Sequence, residues 1–283
     1  KFLFRNQLTV TMMKSKESPY GSFSEYTKMN PYYPKSDSTG RTIQVIDTWV
    51  QQESAAGGRK FVPVLNPMYN ATLGSYDRSE YLEVIDALTM EWNILPGLRF
   101  RGLASINKTK TTGDQFVSPF ANAFYNYGPD RIDVPGSYTY GKNDETSFDR
   151  NLTHNYNRQL GEHFINAMAG TNVRTYMSRF RSIDVIGFNN DRFTDIGFAA
   201  GYGKDAKPYS RLLRDRLAGA FVSVNYSFAN KYLLDVIYRQ DGSSKFGSEN
   251  KVAPFSAIGI GWNLHREAFM AHSPISRLKL RAS

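Results

Sequence analysis

The sequence predicts an all-β, antiparallel transmembrane β-barrel segment of about nine strands with long extracellular loops. Three observations predict it. Apolar and polar residues alternate with a period of two over runs of about 10–15 residues. Soluble strands average about 5–6 residues, whereas a tilted membrane-crossing strand needs about 9–11. Short connections (95–97, 161–162, 229–230 and 265–275) alternate strictly with longer ones (14–79, 109–149, 175–216 and 240–251), the rhythm of an up-and-down barrel. The second face of the ribbons carries Glu83, Glu91, Arg99, Arg101, Asp235, Arg239, Arg277, Lys279 and Arg281, which a wet lumen accepts and a dry core does not.

Taken in order, the first proposed strand is 2–13. The next, 80–94, places Leu82, Val84, Leu88, Met90, Trp92 and Ile94 on one face. Asp86 interrupts that face, which calls for a bulge or an early exit from the membrane. Leu95-Pro96-Gly97 turns the chain into 98–108, followed by 150–160 and 163–174. The clearest pattern is 217–228, where Ala218, Ala220, Val222, Val224, Tyr226 and Phe228 share a face. Across Ala229-Asn230, Tyr232, Leu234, Val236 and Tyr238 continue that face as a hairpin. Strands 252–264 and 276–283 complete the set. Of the 12 prolines only Pro254 falls inside a proposed strand, near its start. Trp92, Tyr226, Phe228, Tyr232 and Trp262 gather at the short-turn end, where an interfacial girdle belongs.

Composition removes several classes. The 283 residues contain no cysteine, which excludes disulfide scaffolds and thiolate metal sites. No apolar run reaches the about 18 residues of a spanning helix. The four histidines are scattered without metal-ligand spacing, and a net charge of +9 permits an acidic partner without demanding one. No catalytic residues, metal site or cofactor are expected: Glu80 and Glu83 face opposite sides of a strand, and neither a serine triad motif nor a phosphate-binding glycine loop is present. His154 and His163 flank a turn and could approach each other, with no third ligand evident. The basic run Arg211–Arg216 reads as a rim segment in contact with anionic lipopolysaccharide or a partner, not with nucleic acid.

The loop 109–149 carries Phe116, Phe120, Phe124, Tyr125, Tyr127, Tyr138, Tyr140 and Phe148. A long loop needs aromatics to pack itself down, and flat rings also stack on ligands. Tyr125, Tyr127, Tyr138 and Tyr140 are the candidates for ligand contact, since each adds a hydroxyl. A second stretch, Asp241, Gly242, Ser243, Ser244, Lys245, Phe246 and Gly247, reads as a structural turn. In it Gly242 and Gly247 supply positive φ and Asp241 caps.

That stretch, with Asn230-Lys231-Tyr232-Leu233-Leu234 before it, Gly261-Trp262 and Glu267-Ala268-Phe269-Met270 after it, and Ile275–Ser283 last, resembles the SusC/RagA family of TonB-linked outer-membrane transporters. Ser18–Phe23, Asn30–Tyr33, Asn66–Ala71 and His163–Ala167 add to the resemblance. It implies a barrel of about 22 strands, occluded by an N-terminal plug, capped by a SusD-like surface lipoprotein, and powered through the TonB complex. Its substrates would be oligosaccharides or, in the RagA branch, peptides. On this resemblance residues 1–283 are a partial TonB-dependent receptor β-barrel, lacking plug, TonB box and C-terminal strands. The opening at Lys1 without a signal peptide and the alternation running into Ser283 fit a stretch of a longer chain. Two other classes remain open at this point: a soluble all-β carbohydrate-binding module or hydrolase, and a non-transporting adhesin-type barrel.

Overall fold

A computed structural model describes residues 1–52, 59–127, 131, 133–246 and 251–283. Nine strands form one antiparallel sheet in the order β1 (Phe2–Lys16), β4 (Tyr76–Leu95), β5 (Leu98–Val117), β6 (Ser137–Leu160), β7 (His163–Ile186), β8 (Tyr209–Phe228), β9 (Tyr232–Ser243), β10 (Val252–Trp262) and β11 (Leu280–Ala282). Every strand pairs with its neighbour in sequence, apart from a separate hairpin, β2 (Val45–Gln52) and β3 (Arg59–Leu65), inserted between β1 and β4.

The short turns follow from backbone chemistry. Pro96 fixes the first corner, and Gly97 takes φ 84°, as the third position of a type II turn requires. No side chain fits there, because the carbonyl of Asn157 occupies the place of a Cβ. Gly161 (φ 59°) opens the β6–β7 turn. Ala229 and Asn230 (φ 51° and 54°) form a primed turn whose twist matches that of the flanking strands.

Pairing register sorts the side chains onto two faces. One row on the first face runs Leu98, Tyr156, Ala167, Val224, Val236, Ile258 from β5 to β10. The adjacent row on the second face runs Asn157, Asn166, Asn225, Asp235. The apolar face is the open one: Met12, Val222 and Ile258 are 74%, 50% and 62% exposed. Among the described residues only Phe116, Ala121, Val185 and Phe188 are buried hydrophobics. A soluble module needs a sealed apolar interior, and this sheet places its aliphatic side chains outside.

The structure corrects several boundaries. Strands run further towards the long loops than their hydrophobic alternation. β6 and β7 have 24 residues each. At about 3.3 Å per residue and a tilt of about 45° such strands rise roughly 55 Å, against a hydrocarbon core of ~30 Å. The loops shrink accordingly to 17–75, 118–136, 187–208 and 244–251. The last expected strand, 276–283, is realised only at Leu280–Ala282, so Arg277 and Lys279 lie outside the sheet, and the preceding connection lengthens to 263–279. No bulge lies at Asp86. Leu8, Asp86 and Ile106 pair in continuous register, and the β4–β5 pairing shifts only beside the turn, between Asn93 and Leu95.

Candidate functional site: a polar wall beneath a loop canopy

The second face is a hydrogen-bonded wall. Period-two alternation puts Asn157, Asn166, Asn225 and Asp235 on it, between Ala167, Val224 and Leu234 on the other. With Asn155 of the next row, the amides donate in one direction: Asn157 Nδ2 to Asn155 Oδ1 at 3.3 Å, Asn155 Nδ2 to Asn166 Oδ1 at 2.9 Å, Asn166 Nδ2 to Asn225 Oδ1 at 3.2 Å, and Asn225 Nδ2 to Asp235 Oδ1 at 2.7 Å. The carboxylate ends the chain as an acceptor-only group, so each link is oriented by the next.

Higher on the wall, Arg239 bridges Asp241 (Nε to Oδ2, 2.6 Å) and Asn172 (3.2 Å). Gly219 lies between Asn172 and Asp241 in the pairing row, and a Cβ there would strike both carboxyl and amide oxygens. Charges of opposite sign recur above: Arg174 with Asp149 at 3.5 Å, and Lys245 with Asp215 at 3.0 Å. Glu83 accepts from Asn107 at 2.9 Å. A surface of paired charges and amides suits a water-filled passage, where each group keeps a partner and remains hydrated.

The long loops form a canopy above this wall, and two asparagines hold it. Asn66, 3% exposed, donates to the carbonyls of Lys35 (3.1 Å) and Ile43 (2.9 Å) and accepts from the Met68 amide (3.0 Å). Asn122 donates to the Asn66 carbonyl at 2.8 Å, and its own amide donates to Asn70 Oδ1 at 2.9 Å. Loop 17–75 is thereby tied to loop 118–136. Sequence patterning does not identify these roles, although the segment Asn66-Pro67-Met68 carries a capping signal: a side-chain acceptor directly before a proline that opens a helical turn.

The four candidate tyrosines separate. Tyr125 and Tyr127 follow the helical turn Asn122–Phe124 in the canopy, 39% and 44% exposed. Tyr138 and Tyr140 belong to strand β6, not to a loop, and share the apolar face. Tyr138 packs against the cluster of Phe116, Val185 and Phe188. Phe116 meets Phe188 edge-on at 5.1 Å. The glycine-bearing stretch is also redistributed. Asp241, Gly242 and Ser243 are the end of β9, and Gly242 is not in the positive-φ region. Asp241 binds Arg239 instead of capping a turn. Ser244, Lys245 and Phe246 form the turn, with the Lys245 amide donating to Ser243 Oγ at 3.2 Å. Gly247 lies outside the described residues. His154 packs on Phe100 (4.9 Å between rings) and His163 on Phe228 (4.8 Å), so each is held by its own aromatic partner.

At the short-turn end an aromatic stack on the apolar face joins β8, β9 and β10. Phe228, Tyr232 and Trp262 stack at 6.4 and 6.2 Å. Glu267 staples this corner, accepting from Trp262 Nε1 (3.0 Å), Tyr232 Oη (2.9 Å) and Lys231 Nζ (3.0 Å). These three donors hold its carboxyl below the usual carboxylate range, the indole contributing most.

No family model matches the chain. The TonB-dependent receptor P39 of Formosa agariphila is 27% identical over 228 residues, 77% of this chain and 20% of that protein. The TonB-dependent receptor SusC of Bacteroides thetaiotaomicron is 27% identical over 208 residues, 68% of this chain and 18% of that protein. The RagAB peptide importer in its open-open state superposes with a TM-score of 0.71 at 19% identity, over 98% of this chain and 30% of that one. The chain is SusC/RagA-like. Its SusC/RagA-like sheet spans about a fifth of the length of the curated relatives it matches. The fold neighbour accounts for the strand order and the exposed apolar face together, since both are what a nine-strand arc of such a barrel presents.

Proposed function

We propose that residues 1–283 are part of the barrel wall of an outer-membrane, TonB-dependent transporter. It imports oligosaccharides or peptides together with a SusD-like surface lipoprotein. The inversion of the sheet carries this reading: aliphatic side chains outward, a ladder of amides and paired charges on the other face. The SusC and P39 relatives are named TonB-dependent receptors, which supports coupling to TonB through regions beyond this chain. An adhesin needs no polar passage, and a soluble hydrolase needs a buried core.

In this reading the canopy is the entrance. Tyr125 and Tyr127 offer exposed rings with hydroxyls beside the Asn66–Asn122 knot, and ligand is held between them and the lipoprotein. Tyr138 and Tyr140 stand on the outer side of the wall, where Tyr138 packs on the cluster that includes Phe188 of the loop 187–208. The test replaces Tyr125 and Tyr127 with alanine in the full-length protein in its own cells. Uptake of fluorescent oligosaccharide and oligopeptide pools should fall for one class, with the outer-membrane level unchanged. Uptake of both classes at the wild-type rate would remove the proposed entrance.

A further inference from the structure

The outer face turns basic where its apolar band stops, and one further cation, Arg150, stands in the same register within the band, in the row of Ala104, Val173 and Ala218. On β5 the band ends at Ile106 and is followed by Lys108 and Lys110. On β7 it ends at Met177, followed by Arg179 and Arg181, and on β8 it ends at Ala218, beyond which lie Arg216 and Arg214. Register puts all six on the face of Val222 and Val224. Lys108 shares a row with Thr146, Met177 and Arg214, and Lys110 shares one with Asp144 and Arg179. With strands about 4.8 Å apart, β5 to β8 spans about 15 Å. Among the described residues none of the six lies within an ion pair, and two carboxylates of that face are held by other lysines: Asp144 by Lys142 at 3.1 Å, and Glu80, which stands beside Lys110, by Lys14 at 2.8 Å. The other face of the same strands has no such excess: there Arg174 meets Asp149, and Lys245 meets Asp215. A solvated surface above the membrane has no need of this one-sided charge.

We propose that this patch binds the phosphates of a phosphorylated glycolipid of the outer leaflet, whose acyl chains lie along the apolar band beneath it. The inference rests on the reading that the sheet spans the outer membrane. Arginine forks and lysine ammonium groups suit phosphate oxygens, and a charge-neutral lipid offers them nothing. Six cations across about 15 Å are more than one phosphate neutralises, which suits a headgroup that carries two.

The full-length protein, extracted from outer membranes, is assayed for diphosphoryl glycolipid retained per protein copy. Monophosphoryl glycolipid, phosphatidylethanolamine and free pyrophosphate serve as competing probes. Retention of the diphosphoryl lipid is expected to fall about 100-fold in R179Q/R181Q/R214Q, at about fivefold per charge near a membrane surface. It is expected to fall about 25-fold in K108Q/K110Q by the same factor, a second variant at the opposite edge of the patch. Equal retention in variants that still run as folded barrels would overturn the site and leave the barrel reading standing. Displacement of the glycolipid by pyrophosphate at equal concentration would overturn the lipid assignment, making the patch an ion site. A wild-type protein absent from the outer membrane would defeat the barrel reading itself, and this inference with it.

Discussion

Asn6 Nδ2 donates to Asp86 Oδ1 at 2.6 Å, from β1 to β4, within the apolar face of the sheet. The two residues sit on diagonal positions, Asn6 opposite Leu88 and Asp86 opposite Leu8. A carboxyl among apolar neighbours is costly without a donor, and the amide supplies one from the adjacent strand.

Removing that donor should cost more than removing the pair. Asn6→Leu leaves Asp86 without its partner and is expected to destabilise the folded barrel by about 1–3 kcal/mol. N6L/D86L should recover most of that loss, because two apolar side chains fit the band. Urea unfolding of the full-length protein in lipid vesicles measures both. A double variant no more stable than N6L would show that Asp86 has another source of support.

The canopy knot predicts a local effect. Asn66→Ala deletes two donated bonds and the cap on the Met68 amide. Loops 17–75 and 118–136 should open independently of the sheet. Limited proteolysis should cut within them at least tenfold faster, with the unfolding midpoint of the barrel unchanged.

Gly219 is predicted to tolerate no side chain. Gly219→Ala forces the Asp241 and Asn172 oxygens apart and disturbs the Arg239 bridge. Overpacking of this kind costs about 1–3 kcal/mol. The unfolding midpoint of G219A reads that loss directly, and a wild-type midpoint would mean the wall yields freely there.

Glu267 makes the β9–β10 corner sensitive to acid. Its folded carboxyl titrates below its ordinary value of 4.5, chiefly through the Trp262 indole. A depressed folded pKa means the staple contributes in full above about 4.5 and is lost as pH falls through the lower folded value. Amide exchange at Asn263, whose N–H donates to the Lys231 carbonyl at 2.8 Å, reports the corner. After correction for intrinsic rates, protection should hold from neutral pH to about 5 and decline below 4.5. In E267Q it should show no such decline.

Alternation makes the short-turn half of the sheet legible, because one apolar and one polar face write a period of two into 80–94 and 217–228. It fails towards the long loops. Lys142, Asp144 and Thr146 of β6 stand in the register of the apolar face, so the stretch 137–149 carries no apolar contrast and reads as loop. The same cause misplaced Tyr138 and Tyr140. The hairpin β2–β3 was hidden by its shortness and by Pro63, which a two-stranded ribbon accommodates. The amide ladder was present in the sequence only as polar positions, since nothing local indicates that Asn157, Asn166 and Asn225 share one row. Asp86 stands out as an anomaly in the sequence, and its donor, Asn6, lies 80 positions away on the neighbouring strand.

Single cysteines test the two-sided wall most directly. This chain contains none, so in a full-length protein freed of any others each label reports one site. Cysteines at Val222, Val224, Leu234 and Val236 should carry probes that lipid-soluble quenchers reach and water-soluble thiol reagents do not. Those at Ser223, Asn225, Asp235 and Ile237 should behave in reverse. Outward positions shielded from both reagents would mean that these side chains pack inside a closed protein interior, which contradicts a sheet with hydrocarbon on one side and an aqueous passage on the other.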